Sequence, residues 1–96
     1  MSIRVTLNCN LKPNQFNTLL PFLEKNLPNV RSFHGNTMVK VLFDKENNEM
    51  LLDEEWLSVE NHQAYLRFIE NNGVLAELGQ FLASPPDIKY FNAIDI

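Results

Sequence analysis

The spacing of apolar residues switches repeatedly between two periods, and the order of these switches restricts the fold more than any other feature. Strict alternation of apolar and polar residues is typical of a half-buried strand, whereas spacing of i, i+3, i+4 and i+7 indicates a helix. The 96 residues alternate, become helical, alternate twice, become helical again and alternate once more. This length is typical of one domain, so we predict a single domain over residues 1–96.

The first two elements are bounded by prolines. A strand is predicted over residues 3–11, and a helix from Pro13 to Leu27. A proline inside a helix removes a backbone donor, so we expect Pro21 to kink this helix or split it in two. Pro28 is expected to end the helix, because the residue before a proline disfavours helical geometry.

The second half of the chain begins with a hairpin. Residues 37–44 and 50–57 alternate on either side of a polar tip, which predicts two antiparallel strands. Ser58 is a good N-cap for a second helix. This helix is expected to stop in a left-handed turn at residues 71–73 and to resume beyond it. Residues 88–96 alternate as a last strand.

The order strand, helix, strand, strand, helix, strand predicts a ferredoxin-like α+β fold. It implies a four-stranded antiparallel sheet with the helices on one face. Apolar residues also occur on the face that would stay open, and such a face would form a large exposed hydrophobic patch. Two copies can cover it around a two-fold axis, so we expect a homodimer. The alternative is a monomer with scattered apolar surface residues.

Composition excludes several classes of function. Eight Lys and Arg against twelve Asp and Glu give a formal net charge of −4, whereas a duplex-binding protein needs a basic surface. We therefore expect no nucleic-acid partner and no membrane partner. Residues 1–8 lack the apolar core of a signal peptide. Cys9 is the only cysteine, so no intrachain disulfide and no zinc cluster are expected. The expected location is the cytoplasm.

Three short segments share an order and a spacing with a known family. Residues 53–58 read DEEWLS and place Glu54 and Trp56 at the end of a strand, just before a helix. Residues 27–36 read LPNVRSFHGN, and residues 65–68 read YLRF, followed by a glycine and a Pro-Pro pair. Together they resemble the motifs of the antibiotic biosynthesis monooxygenase (ABM) domain family, a member of the dimeric α+β barrel superfamily.

The resemblance implies a protomer that dimerises through its open sheet face and holds a small-molecule pocket between the sheet and the helices. The family includes cofactor-free oxygenases of quinols and anthrones, haem-degrading enzymes and an isomerase, so it does not fix the reaction. Leu75 and Tyr65 occupy the positions of a histidine and a tryptophan that the haem-degrading branch uses, which argues against haem. Leu52 replaces an asparagine of the polyketide-tailoring oxygenases, whereas Asn8 matches their first-strand asparagine.

Three residues are candidate catalytic groups. Without a cofactor, the substrate must supply the electrons, and the protein must favour its deprotonation and stabilise the oxyanion. Asn8 could donate a hydrogen bond to that oxyanion. Trp56 could stack on the ring of an aromatic substrate and donate its indole N–H to a substrate oxygen. His34 could act as a general base. The alternatives are a turn-forming residue for Asn8, a core side chain for Trp56 and a structural turn residue for His34.

Three further residues are candidate substrate-binding groups: Glu54, Tyr65 and Phe68. Glu54 shares a strand face with Trp56, and a carboxylate beside an apolar pocket has a raised pKa and can act as a base. The alternative for Glu54 is an ion pair with Arg4 or Arg31 across the dimer. The alternative for Phe68 is a place in the core.

The sequence leaves three functions open. The first is a cofactor-independent monooxygenase that uses O2 to oxidise a small electron-rich aromatic, such as a quinol or an anthrone. The second is a non-oxidative, isomerase-type enzyme that acts on a small oxygenated metabolite. The third is a non-catalytic dimer that binds a small molecule. No metal site and no cofactor are expected. His62 is expected to face solvent, and the alternative is that it reaches the pocket.

Overall fold

Residues 2–96, which the computed structural model describes, form a four-stranded antiparallel sheet with helices packed on one face. The elements are β1 (Ile3–Asn10), α1 (Phe16–Arg31), β2 (Asn36–Asp44), β3 (Glu49–Trp56), α2 (Val59–Asn71), α3 (Val74–Gly79) and β4 (Asp87–Phe91). The strand order is β2-β3-β1-β4, and each neighbouring pair is antiparallel. The predicted ferredoxin-like α+β fold is confirmed.

The core lies between the helices and one face of the two central strands. Alternate residues of β1 and β3 are buried, as the sequence period predicts. The buried set of these strands is Ile3, Val5, Leu7, Cys9, Met50, Leu52, Glu54 and Trp56. Each fully buried large apolar side chain contributes roughly 1.5–3 kcal/mol relative to an exposed one. This face of the sheet therefore holds the helices in place. Glu54 is the one carboxyl group on it.

The first helix begins later than predicted. Pro13 and Asn14 form a turn in which Asn14 has a φ of +61°, so the helical geometry starts only at Phe16. Pro21 lies inside α1 and does not split it, because the helix is continuous on both sides of the proline.

The first helix also ends later than predicted. It passes through Pro28 and stops at Arg31 rather than at Leu27. In the last turn Val30 is buried in the core, and the Arg31 Nη2 donates to the main-chain carbonyl of Val39 at 3.1 Å. These tertiary contacts offset the ~3 kcal/mol that a proline typically costs inside a helix.

The last strand is shorter than predicted. β4 pairs with β1 only as far as Phe91, which is opposite Arg4, one residue from the start of β1 at Ile3. Ile94 and Ile96 lie beyond this point and are largely exposed. Residues 92–96 alternate in sequence but do not form a strand.

The turns that flank α2 agree with the prediction. Ser58 caps the helix, because its Oγ accepts a hydrogen bond from the Asn61 N–H at 3.1 Å. Gly73 separates α2 from α3 with a left-handed φ of +88°. Within residues 2–96, no helix is both long enough and apolar enough to cross a membrane.

Gly35 is the glycine whose replacement is expected to matter most. It has a φ of +94°, and a Cβ there would lie 2.5 Å from Asn61 Cγ. Gly35→Ala is expected to lower the free energy of unfolding by about 2–3 kcal/mol, because it adds a clash to a strained backbone. Gly73→Ala is the control: φ is also positive, nothing lies within 4 Å of the added Cβ, and a loss of about 1 kcal/mol is expected. Urea denaturation measures both losses, and equal losses at the two sites would contradict the clash.

Candidate functional site

An apolar cavity lies between the helix-facing side of the sheet and the helices. Its floor includes Leu7 and Leu52 of the sheet, and its cover includes Val74 and Leu78 of α3. The space open to the centre of a water molecule is about 50 Å³. One water needs roughly 10–15 Å³ by this measure, so the cavity takes a few water-sized groups as it stands. A substituted ring requires the cover to move outward.

Glu54 is the carboxyl group of this cavity. It stands on the buried face of β3 between Leu52 and Trp56, and only 4% of its surface is exposed. Burial raises the pKa of Glu54 to about 7, because ionisation would place a charge among apolar groups. The hydrogen bond from Trp56 limits the rise, and the nearby charge of Asp53 adds to it. Near neutral pH both the acid and the carboxylate are therefore populated.

Trp56 fixes the position of this carboxyl group. Its indole Nε1–H donates to Glu54 Oε1 at 2.8 Å, and the ring is fully buried. The rings of His62 and Tyr65 lie 5.3 Å and 5.4 Å away, centroid to centroid, and the ring of Phe33 lies 6.2 Å away. Trp56 thus packs as a core residue and also holds the carboxyl group by a hydrogen bond.

His62 is buried, and the expectation that it faces solvent is wrong. Only 1% of its surface is exposed. Its Nδ1 lies 2.9 Å from the Tyr90 Oη, and its Nε2 lies 3.9 Å from Glu54 Oε1. Burial lowers the pKa of His62 to about 4, so the ring is neutral near pH 7. The available signal was its spacing of i, i+3 and i+7 with Tyr65 and Ile69, which places all three on one helix face.

Asn26 is a second polar residue of the cavity wall that the sequence analysis missed. It lies on the buried stripe of α1 and is 8% exposed. Its Nδ2 donates to the Phe22 carbonyl at 2.8 Å, so its Oδ1 is an acceptor for a ligand hydroxyl. The signal was a polar residue three positions after Leu23 and four before Val30, inside an otherwise apolar stripe.

None of the three candidate catalytic residues lines the cavity, although Trp56 hydrogen-bonds to Glu54, which does. Asn8 is on the opposite face of the sheet, where its Nδ2 donates to Glu49 Oε2 at 3.2 Å. His34 is exposed in the turn before β2. The structure does not bring either of them together with Trp56, and the roles given to them stay predictions without a shared site.

The three candidate binding residues are divided between the cavity and the surface. Tyr65 lines the cavity together with Glu54. Burial, and then the charge of Glu54, raise the pKa of Tyr65, so its hydroxyl stays protonated and can donate. Phe68 is 50% exposed, and its ring packs on Phe33 at 5.4 Å. Their roles in binding stay predictions.

Arg4 and Arg31, the two arginines predicted as alternative partners of Glu54 across a dimer, both have other partners within the chain, and Arg31 donates to the Val39 carbonyl. Arg4 Nη1 lies 3.2 Å from Asp53 Oδ1 on the open face of the sheet.

Among residues 2–96, no group of three or more His, Cys, Asp or Glu side chains is arranged to hold a metal ion. Burial raises the pKa of Cys9 to about 11, so its thiol is not a nucleophile near neutral pH.

A wider groove lies outside the cavity, between the helices and the segment that leads into β4. By the same measure it offers about 520 Å³, and Pro85 and Pro86 form part of its edge. Leu66 and Leu75 line both the groove and the cavity. These two side chains therefore form a shared wall, and their displacement would connect the cavity with the outside.

The sheet order, the helices on one face and the cavity between them define a ferredoxin-like chain with a small apolar cavity. Solved structures with the same fold include the Mycobacterium tuberculosis protein Rv0793, with a TM-score of 0.83 and 16% identity, covering 100% of this chain and 98% of that one. A protein called antibiotic biosynthesis monooxygenase has a TM-score of 0.84 and 12% identity, with coverage of 97% and 99%. A provisionally named antibiotic biosynthesis monooxygenase from Bordetella bronchiseptica has a TM-score of 0.83 and 17% identity, with coverage of 97% of both chains.

No protein-family model matches the chain, and no curated protein is similar to it in sequence. At 12–17% identity the likeness to these structures establishes the fold. The fold that the sequence resemblance implies is thus the one observed, and two of the three structures carry the name of the same family.

Proposed function

We propose that the protein is a cofactor-independent monooxygenase that oxidises a small electron-rich aromatic of the quinol or anthrone type with O2. The observation that carries this proposal is Glu54, a buried carboxyl group with a pKa near 7 that Trp56 fixes at the wall of an apolar cavity. The names of the structurally similar proteins and the sequence resemblance support the same chemistry.

The proposed reaction begins with proton transfer to Glu54. The carboxylate accepts a proton from the substrate, and the resulting anion gives one electron to O2, which neutral closed-shell substrates do only slowly. The radical and superoxide combine into a carbon-bound peroxide. Glu54 returns its proton to the outer oxygen of this peroxide and is a carboxylate again. The O–O bond then breaks, the carbon that carries the peroxide loses its remaining hydrogen, and water leaves, so one oxygen atom stays on the substrate as a carbonyl. The two hydrogens of that water come from the substrate, so no external reductant is needed.

Two neutral polar groups would orient the substrate. Tyr65 keeps its hydroxyl proton and could donate to the developing oxyanion, and Asn26 could accept from a second hydroxyl. The remaining wall is almost entirely apolar, which favours a neutral aromatic over a phosphate or a carboxylate. The proposed compartment is the cytoplasm, since the one cysteine of the chain is buried and needs no oxidising environment.

Oxygen uptake tests the proposal. A panel of hydroquinones and anthrones is incubated with the protein in an oxygen electrode, without added metal or flavin. We expect uptake with at least one of them, and Glu54→Gln should lower kcat by about 10²–10⁴-fold, the range of a lost general base. Glu55→Gln is the matched control, because Glu55 is its chain neighbour on the opposite face and accepts from Thr37.

The same panel separates the alternatives. Uptake that is equal in Glu54→Gln and in the wild type would contradict the role of Glu54. Absence of uptake, with turnover of a carbonyl metabolite under strict anaerobiosis, would identify the isomerase-type function instead. The isomerase-type enzyme is the second candidate because a carboxyl group with a pKa near 7 also suits proton transfer between two carbon atoms. Binding without any turnover would leave the non-catalytic function.

We also propose that two copies associate through the open faces of their sheets. Leu42 and Phe91 lie on this face and are each about half exposed, between charged neighbours. We expect a sizing measurement of ~22 kDa, twice the 11.1 kDa of one chain. Leu42→Glu should give single chains. Phe68→Glu, at an equally exposed position on the helical side, should leave the dimer intact. A wild-type protein that elutes as single chains would contradict the proposal.

A further inference from the structure

We propose that His62 and Tyr90 form a proton path between Glu54 and the surrounding water. The proposal rests on the proposed function in one respect, since it takes Glu54 to be the proton-accepting group of the cavity. A buried base must be ionised when its ligand arrives, and the apolar wall of the cavity gives protons no route of their own. A chain of exchangeable groups is therefore required.

The three side chains come from three elements and lead outward. Glu54 is on β3, His62 on α2 and Tyr90 on β4. The distance from Glu54 Oε1 to His62 Nε2 is 3.9 Å, and that from His62 Nδ1 to Tyr90 Oη is 2.9 Å. The exposed fraction is 4% for Glu54, 1% for His62 and 37% for Tyr90. Only the tyrosine end of the series therefore reaches solvent.

The imidazole ring is held in place from two sides. Its centroid lies 5.3 Å from the Trp56 ring at an interplanar angle of 67°, and 5.5 Å from the Tyr90 ring at 76°. Trp56 is also the hydrogen-bond donor to Glu54, so one side chain positions both ends of the inner step. A neutral imidazole carries one donor and one acceptor nitrogen, which is what a relay needs.

The transfer moves protons only. As Glu54 releases its proton to His62 Nε2, the Nδ1 proton passes to Tyr90 Oη, and the hydroxyl proton of Tyr90 passes to water. One O–H bond is broken at Glu54 and one is formed on water, and no electron is transferred. The reverse sequence protonates Glu54 and restores the first tautomer. The 3.9 Å separation must shorten by about 1 Å to become a hydrogen bond, which is within the range of ordinary side-chain motion.

The test measures the rate at which Glu54 exchanges its proton in the complete, ligand-free protein. Trp56 is the only tryptophan, and its indole N–H donates to Glu54, so its NMR resonance reports the ionisation of that carboxyl group. Relaxation dispersion of this resonance, near the midpoint of its pH titration, gives the exchange rate. Tyr90→Phe removes one hydroxyl group from the path. Tyr65→Phe is the matched control, because it removes a hydroxyl group from the cavity but not from the path.

We expect Tyr90→Phe to slow the exchange about tenfold or more, and His62→Gln to slow it similarly, since both interrupt the relay. Tyr65→Phe should leave the rate within about twofold of the wild type. Unchanged rates in both Tyr90→Phe and His62→Gln would overturn the proposal, as would an equal slowing in Tyr65→Phe. The exchange rate is measured without substrate, so a failure of the oxygen-uptake experiment does not decide this result, and the reverse also holds.

Discussion

Trp56→Ala is expected to lower the free energy of unfolding by about 4–5 kcal/mol, close to the upper end of the range for truncated core aromatics. Two losses combine in this variant. The fully buried ring leaves a void between Phe33, His62 and Tyr65. The buried carboxyl group of Glu54 also loses the indole donor at 2.8 Å, and an unpaired buried polar group costs roughly 1–3 kcal/mol.

Trp56→Phe separates these two losses. It keeps most of the aromatic volume and removes the N–H, so we expect a loss of about 1–3 kcal/mol. Urea denaturation at pH 7 measures both variants. Since the tryptophan also limits the rise in the pKa of Glu54, that pKa should rise further in Trp56→Phe. A loss below 1 kcal/mol in Trp56→Ala would contradict the buried position of the ring.

The second prediction concerns how the free energy of unfolding depends on pH. In the wild-type protein two opposite contributions cancel, so the effect is seen only in variants. The pKa of Glu54 is about 7 in the folded protein against an ordinary 4.5. Between these pH values only the folded state holds the proton, so the contribution of Glu54 to the free energy of unfolding falls as pH rises. The pKa of His62 is about 4 against 6.5. Between these values only the unfolded state holds the proton, so the contribution of His62 rises with pH.

The two contributions have opposite slopes of about 1.4 kcal/mol per pH unit and overlap between pH 4.5 and 6.5. We therefore expect the stability of the wild type to change little in this window. In Glu54→Gln, stability should rise by about 3 kcal/mol from pH 4 to pH 6.5, because only His62 remains. In His62→Gln, it should fall by about 3 kcal/mol from pH 4.5 to pH 7, because only Glu54 remains.

Urea denaturation at a series of pH values measures these slopes, and only the slope of each variant is compared, not its absolute stability. Asp44 does not interfere in this window, because hydrogen bonds from Asn47 lower its pKa below the ordinary value. Parallel slopes in the two variants would show that burial does not shift the two groups in opposite directions.

The sequence predicted the fold and the shared strand face of Glu54 and Trp56 for one physical reason, which is that strand alternation is a local property. The period of β3 places Glu54 and Trp56 on one face whatever packs against it. The same period places Asn8 and Leu7 on opposite faces of β1, and the structure has Asn8 on the face away from the helices.

The contacts of His62 with Glu54 and with Tyr90 depend on how distant elements pack together. His62 and Tyr90 are separated by 28 residues and meet only when α2 packs over the edge strand β4. No local pattern specifies that contact. The late end of α1 has a similar cause, since the local preference of Pro28 is outweighed by the buried Val30 and by the hydrogen bond of Arg31.

The proposed function depends on one property of the protein, namely a carboxyl group at the wall of an apolar cavity that is half protonated near neutral pH. The most direct measurement is an NMR titration of the glutamate side-chain carboxyl carbons in the uniformly ¹³C-labelled protein. Glu54→Gln identifies the Glu54 resonance by its disappearance. We predict a midpoint near pH 7 for this resonance. A midpoint near 4.5, the ordinary value for a glutamate, would contradict the role of Glu54 in the proposed function.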